Sequence, residues 1–219
     1  MTYNKKQTIE LIEDLAKDLK PIKRKGWKFP CIIWCSIILG LILFNYYYVA
    51  DMVRPIKNPF FDMTTNTVFL LGIITSFSSF FYAVFASLPG RNYQIWKHIS
   101  FFSFFLWGII IISEMIIQKS YSVNIKEFYH CTTGTIITGI LLFIILYYFI
   151  KKRFILDLES AILGGILASS VSGTVCFGFV CQIHDPAHIF YTHYLPIMLL
   201  FLIAYLIFFI KYKYFQTLP

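Results

Sequence analysis

The sequence predicts an all-α membrane protein, a polytopic bundle of six transmembrane helices preceded by a short amphipathic helix on the cytoplasmic side. Three observations predict it. Hydrophobic residues make up 58% of the 219-residue chain and charged residues only 14%, with a mean hydropathy of +0.69, a balance that excludes an ordinary soluble domain. Six stretches approach the ~20 apolar residues that a spanning helix needs, at 30–50, 67–88, 98–117, 129–150, 160–181 and 194–211. Their short linkers alternate in charge. Fifteen of the 19 Lys and Arg residues fall in the N-terminal tail, the 89–97 and 150–159 connections and the C-terminus; four, Arg54, Lys57, Lys119 and Lys126, fall on the opposite side. By the positive-inside rule both termini are cytoplasmic, and the formal net charge of +8 reads as an orientation signal rather than a nucleic-acid surface.

The chain divides into a tail, 1–28, and a transmembrane domain, 29–219. The polar first 28 residues leave no cleavable signal peptide in view. Within the tail, Ile9, Leu11, Ile12, Leu15, Ala16 and Leu19 fall in one half of a helical wheel, and Glu10, Glu13, Asp14, Lys17, Asp18 and Lys20 in the other. Thr8 is placed as N-cap, and Pro21 ends the helix at Lys20. A helix of about a dozen residues is marginal alone in water, so the apolar stripe must lie on something. Membrane-surface helices carry a Lys/Arg-rich polar face, whereas this one sets four acids against two lysines. That balance favours a groove on a protein partner over lipid or the chain's own bundle.

Trp27, Tyr46, Tyr47, Tyr48, Trp96, Tyr147, Tyr148 and Tyr212 crowd the span ends as interfacial anchors. The fifth span carries two small-residue rows, Gly164/Ala168/Ser172 and Gly165/Ser169/Gly173, and the fourth has Gly134, Thr138 and Gly139; such faces permit close helix approach, so these two spans are expected to touch. The two halves of the chain show no repeat of the kind common in transporters.

Cys131 opens the fourth span and Cys181 closes the fifth. Antiparallel spans place both sulfurs at one depth, near the outer face, where close approach allows a disulfide, metal capture or plain packing. A histidine-rich stretch follows, CQIHDPAHIFYTH, so that His184, His188 and His193 join Cys181. Cys131, Cys181, His184 and His188 form the candidate ligand set for zinc or another thiophilic metal. His130 points about 100° away from Cys131 on a helix and is left out. Cys31, Cys35 and Cys176 read as packing residues. Glu114, an acid inside the third span, is expected to pair with a histidine, a metal or a neighbouring hydroxyl such as Ser113. No nucleophile-base arrangement, phosphate loop or water-accessible CxxC is present, so the chain reads as a non-enzyme. A small transporter or channel lined by Glu114 and the small-residue spans is the alternative.

The segment Leu11, Ile12, Leu15, Ala16, Asp18, Pro21, Ile22 and Arg24, followed by six spans, a Cys at the start of the fourth, a glycine-rich fifth and a Cys-led outer loop, resembles the NrsF-type membrane anti-sigma factors along essentially the whole chain. The resemblance implies a bacterial inner-membrane regulator that sequesters an extracytoplasmic-function (ECF) sigma factor without contacting nucleic acid itself. The sigma-binding residues it implies are Ile9, Leu11, Ile12, Leu15, Ala16, Asp18, Leu19, Pro21 and Arg24. Cys131 and Cys181 become the implied sensor of metal or oxidative stress. The three histidines after Cys181 depart from the family's acidic, Trp-containing loop.

Overall fold

A computed structural model describes residues 26, 28–44, 63–88, 91–121, 125–151, 157–178, 181 and 185–216. The sigma-binding residues expected in the tail, Ile9 to Arg24, and His184 lie outside the described residues. All regular structure among the described residues is helical: α1 (Lys28–Phe44), α2 (Met63–Ala86), α3 (Gln94–Ile117), α4 (Ile125–Lys151), α5 (Leu158–Gly178) and α6. The last is continuous through a first turn Pro186–His188, a π-helical stretch Ile189–Tyr194 and an α-helix Leu195–Gln216. Five of the six, α2 to α6, are long and apolar enough to cross a membrane; α1 is apolar but shorter, and residues 45–50 of the expected first span are outside the described set. The sixth span starts at Pro186 rather than 194. Asp185 is the reason: its carboxylate accepts from the His188 backbone N–H at 3.2 Å, and Pro186 at the first helical position has no N–H to satisfy.

At the centre lies α5. Thirteen of its residues are buried, from Ala161 to Cys176, and a helix buried all round has no single apolar face. Its two small-residue rows serve different neighbours. Gly173 faces α4 so closely that a Cβ there would come within 2.8 Å of the Gly139 nitrogen and 3.0 Å of the Thr135 carbonyl oxygen. Gly164 faces α2, where a Cβ would lie 2.9 Å from the Ala83 nitrogen. The contact of α4 with α5 agrees with the sequence; the equally intimate packing of α2 on α5 is additional. Hydroxyls stitch α2 to α5, Ser76 to Ser172 at 2.5 Å, and α2 to α3, Ser79 to Ser100 at 2.5 Å and Thr75 to Ser103 at 3.0 Å. Inside a bilayer such bonds each add only about 0.6 kcal/mol, but they fix which faces meet. Large apolar side chains on the outer faces, among them Leu70, Phe102, Phe105, Ile109, Ile144 and Leu202, remain exposed, as lipid contact requires.

The connections gather at two ends. Asp157 caps α5 by accepting from the Ser160 N–H at 3.0 Å, and Tyr93, ahead of α3, donates its hydroxyl to the same carboxylate at 2.7 Å. Cys31 and Trp34 of α1 pack at this end too, in a cluster with Leu88, Tyr93, Trp96, Ile150 and Ala161, and Trp34 stacks on Phe80 at 5.3 Å. At the far end Ser120 donates to Asp185 at 2.5 Å, joining the exit of α3 to the entry of α6. The exit of α3 is a Schellman turn. Ser120 N–H reaches the Met115 carbonyl, Lys119 N–H reaches Ile116, and Lys119 takes the left-handed φ of 52° that glycine usually supplies.

Two predictions follow from this packing. Gly173→Ala should lower the thermal unfolding midpoint of the detergent-solubilised protein, since backbone atoms cannot yield and overpacking costs about 1–3 kcal/mol. Gly165→Ala, whose Cβ would meet side chains at an ordinary 3.6 Å, should leave the midpoint unchanged or raised. For Asp157, burial pushes the carboxyl up, but the Ser160 backbone N–H, the Tyr93 and Ser160 hydroxyls and nearby Lys97 outweigh it and hold the group below its usual value. A carboxyl lowered on folding stabilises above its unfolded value of about 3.9 and loses that contribution as pH falls through the folded value. Thermal melts of wild type and Asp157→Asn should therefore differ most above about pH 5 and converge in stronger acid.

Candidate thiol and metal site

Four side chains from three places converge at the Ser120/Asp185 end. Cys131 sits in the second turn of α4 and is buried. Cys181 follows α5, held there by its backbone N–H donating to the Phe177 carbonyl at 2.9 Å. His188 and His193 come from α6, only 2% and 3% exposed. The two sulfurs are 3.8 Å apart, and Cys181 Sγ is 3.3 Å from His188 Nε2. One ligand atom from each of the four residues lies within 4.8 Å of the other three.

Local structure explains each placement. Asp185 caps the first turn of α6 and so fixes the position of His188. His193 lies five residues on, and on an α-helix that spacing would put the two rings about 140° apart. In the π-helical stretch the ladder runs i to i+5, shown by Leu195 N–H donating to the Phe190 carbonyl, and both rings reach one side. Their centroids are 5.7 Å apart. Thr135, one turn after Cys131 on the same face of α4, meets His193 Nδ1 at 3.0 Å, and the Thr174 hydroxyl donates to the His193 carbonyl at 3.4 Å. With Nδ1 engaged, His193 Nε2 is buried and has no hydrogen-bond partner among the described residues.

Aromatic packing holds the π-helical stretch against α3. Tyr194 stacks on Phe104 at 5.0 Å, meets Trp107 edge-on at 5.4 Å and donates to the Phe104 carbonyl at 3.2 Å. Its ring occupies space that only Gly108 leaves, since a Cβ there would overlap the phenol. Gly134 likewise makes room on α4 for the Phe177 ring, just ahead of Cys181.

Of the expected ligands, Cys131, Cys181 and His188 are brought together. His193, which the expected set omits, completes the group; its five-residue spacing from His188 hides the relation unless a π-helix is assumed. His130 is exposed and stands outside the cluster. Glu114 also stays outside it: its carboxylate accepts from Gln118 Nε2 at 3.1 Å, while the Ser113 hydroxyl turns back to the Ile110 carbonyl. Cys176 is fully buried, and its sulfur approaches the Ile38 carbonyl at 3.9 Å, in keeping with a packing role.

Two thiols 3.8 Å apart must close by nearly 2 Å to form a bond of about 2.05 Å. Diamide, which takes up two electrons and two protons from the pair, should give an intramolecular disulfide, seen as protection of two thiols from maleimide labelling. Cys131→Ser and Cys181→Ser should each abolish that protection, whereas Cys176→Ser should leave it intact.

No curated protein and no solved structure matches the chain significantly. Residues 15–210, spanning the C-terminal part of the expected tail helix, α1 to α5 and α6 up to residue 210, match the family described as NrsF, negative regulator of sigma F. The chain belongs to the NrsF family of negative regulators of a sigma factor.

Proposed function

We propose that this protein is an inner-membrane anti-sigma factor that holds an ECF-type sigma factor through its N-terminal tail and releases it when Cys131 and Cys181 meet an oxidant or a thiophilic metal. The observation that carries the reading is the family match, which runs from the tail's second half to residue 210 in the last helix. The polarity of the bundle supports the division of labour. The Lys28 end of α1 packs with the Tyr93/Asp157 end, where Arg91, Lys97 and Lys151 also lie, and the two thiols lie at the other. Six spans with both termini in the cytoplasm follow from the positive-inside count, α1 with the residues after it supplying the first.

In this reading the stripe of Ile9, Leu11, Ile12, Leu15, Ala16 and Leu19 enters a groove on the sigma factor, where desolvated apolar anchors provide most of the affinity. Asp18, Pro21 and Arg24, at and just beyond the end of that helix, complete the sigma-binding set. A docked sigma factor is kept from polymerase. Movement at the thiol end reaches the tail through α5, which touches α1, α2, α4 and α6.

Co-purification of the full-length protein with its sigma factor tests the docking face. Leu15→Asp buries a charge in the groove and should reduce retained sigma factor at least tenfold, with Glu13→Gln close to wild type; unchanged retention in Leu15→Asp would remove the tail from the mechanism. Alkaline phosphatase and green fluorescent protein fusions at residues 10 and 181 should report opposite sides of the membrane. The double variant Cys131→Ser, Cys181→Ser should keep its sigma factor bound under diamide or cadmium.

A further inference from the structure

We propose that Cys131, Cys181, His188 and His193 form one closed, four-coordinate site for a divalent cation of the zinc class, and that the π-helical stretch Ile189–Tyr194 exists to bring both histidines into it. This deepens the sensing role proposed for the two cysteines, but it concerns metal binding alone and can be tested without a sigma factor.

Three observations carry it. The first is distance. Two thiolates on a tetrahedral ion at about 2.3 Å are held about 3.8 Å apart, and a thiolate and an imidazole nitrogen on the same ion about 3.5 Å apart. The sulfurs here are separated by 3.8 Å and the Cys181–His188 pair by 3.3 Å. That sulfur separation suits a shared cation far better than a disulfide, which needs about 2.05 Å.

Charge is the second. On binding, the two thiols release their protons to solvent, and two thiolates with two neutral imidazoles offer a charge of −2. A divalent cation is neutralised, as burial in an apolar bundle demands. A monovalent ion would leave the buried group with net negative charge. Mixed sulfur and nitrogen donors in a four-coordinate arrangement belong to zinc and its heavier congener cadmium rather than to calcium or magnesium, which take oxygen.

The third is orientation. His193 Nε2 is buried without a hydrogen-bond partner among the described residues, while its Nδ1 is fixed by Thr135. Metal-bound histidines show this arrangement, one nitrogen on the ion and the other on an orienting group. The π-helical insertion is otherwise hard to justify, because an α-helix would turn His193 away from His188 and bury an imidazole with nothing to bind. The same insertion at once satisfies the ring and closes the ligand set.

The test is a Co2+ titration of reduced, full-length protein in detergent micelles. Tetrahedral thiolate-bound Co2+ gives intense visible d–d bands and a sulfur-to-cobalt charge-transfer band. The wild type should show both at one Co2+ per chain, with loss of colour on adding Zn2+. His188→Ala and His193→Ala should each weaken Co2+ binding at least tenfold, and His98→Ala and His130→Ala should not. His193→Cys should restore tight binding with a stronger charge-transfer band, which separates a lost ligand from a damaged fold. Thr135→Val should bind more weakly than wild type while keeping the tetrahedral spectrum. Absence of a tetrahedral spectrum in the wild type overturns the site; loss of binding in His184→Ala with none in His193→Ala overturns the assignment of the fourth ligand. Neither result touches the docking of the sigma factor, which the co-purification reads separately.

Discussion

The bundle depends on how near α5 can come to its neighbours without side chains between them. Gly173 against Gly139, and Gly164 against Ala83, bring backbones within reach of each other on two sides of one helix. In lipid no hydrophobic force drives helices together, so close van der Waals contact and a few hydroxyl bonds must suffice. The consequence is geometric. Once α4 and α5 are fixed in register, the first turns of one and the residue beyond the last turn of the other lie at one level, and Cys131 meets Cys181 as a result of packing at Gly139 and Gly173, about 12 Å away along the same helices.

Two aspartates perform matching tasks at opposite ends. Asp157 satisfies the opening turn of α5 and receives the Tyr93 hydroxyl; Asp185 satisfies the opening turn of α6 and receives the Ser120 hydroxyl. Each cap thereby ties two connections together where the chain leaves the apolar region. The Asp185 cap sets where α6 begins, so it also decides which residues of that helix can face the thiols. A loop-level bond and a buried site are linked through a single turn of helix.

Much of the architecture is legible in the residues because lipid imposes simple rules. Apolar length marks the helices, Lys and Arg mark their ends, and the Gly165/Ser169/Gly173 row marks one of the faces of α5. Cys131 and Cys181 are paired by depth alone. Other features need three bodies at once. That Gly164 packs on Ala83 depends on α2 folding against a helix far from it in sequence. The role of Asp157 depends on Tyr93 arriving from 64 residues away. His193 shares no face with His188 at 3.6 residues per turn, and the π-helical stretch that brings the two rings together also sets Tyr194 in the space beside Gly108.

A helix that carries one surplus residue changes phase. Downstream of Tyr194, Ile197, Phe201 and Ala204 repeat at ordinary spacing toward the bundle, and Met198, Leu202, Ile203 and Leu206 turn outward. Erasing the surplus would rotate one half of α6 against the other by about 100°, presenting a different stripe to the acyl chains or swinging the imidazoles off the sulfurs. The helix thus behaves as a crankshaft whose angle is set at one membrane face and felt along its full length to the opposite one.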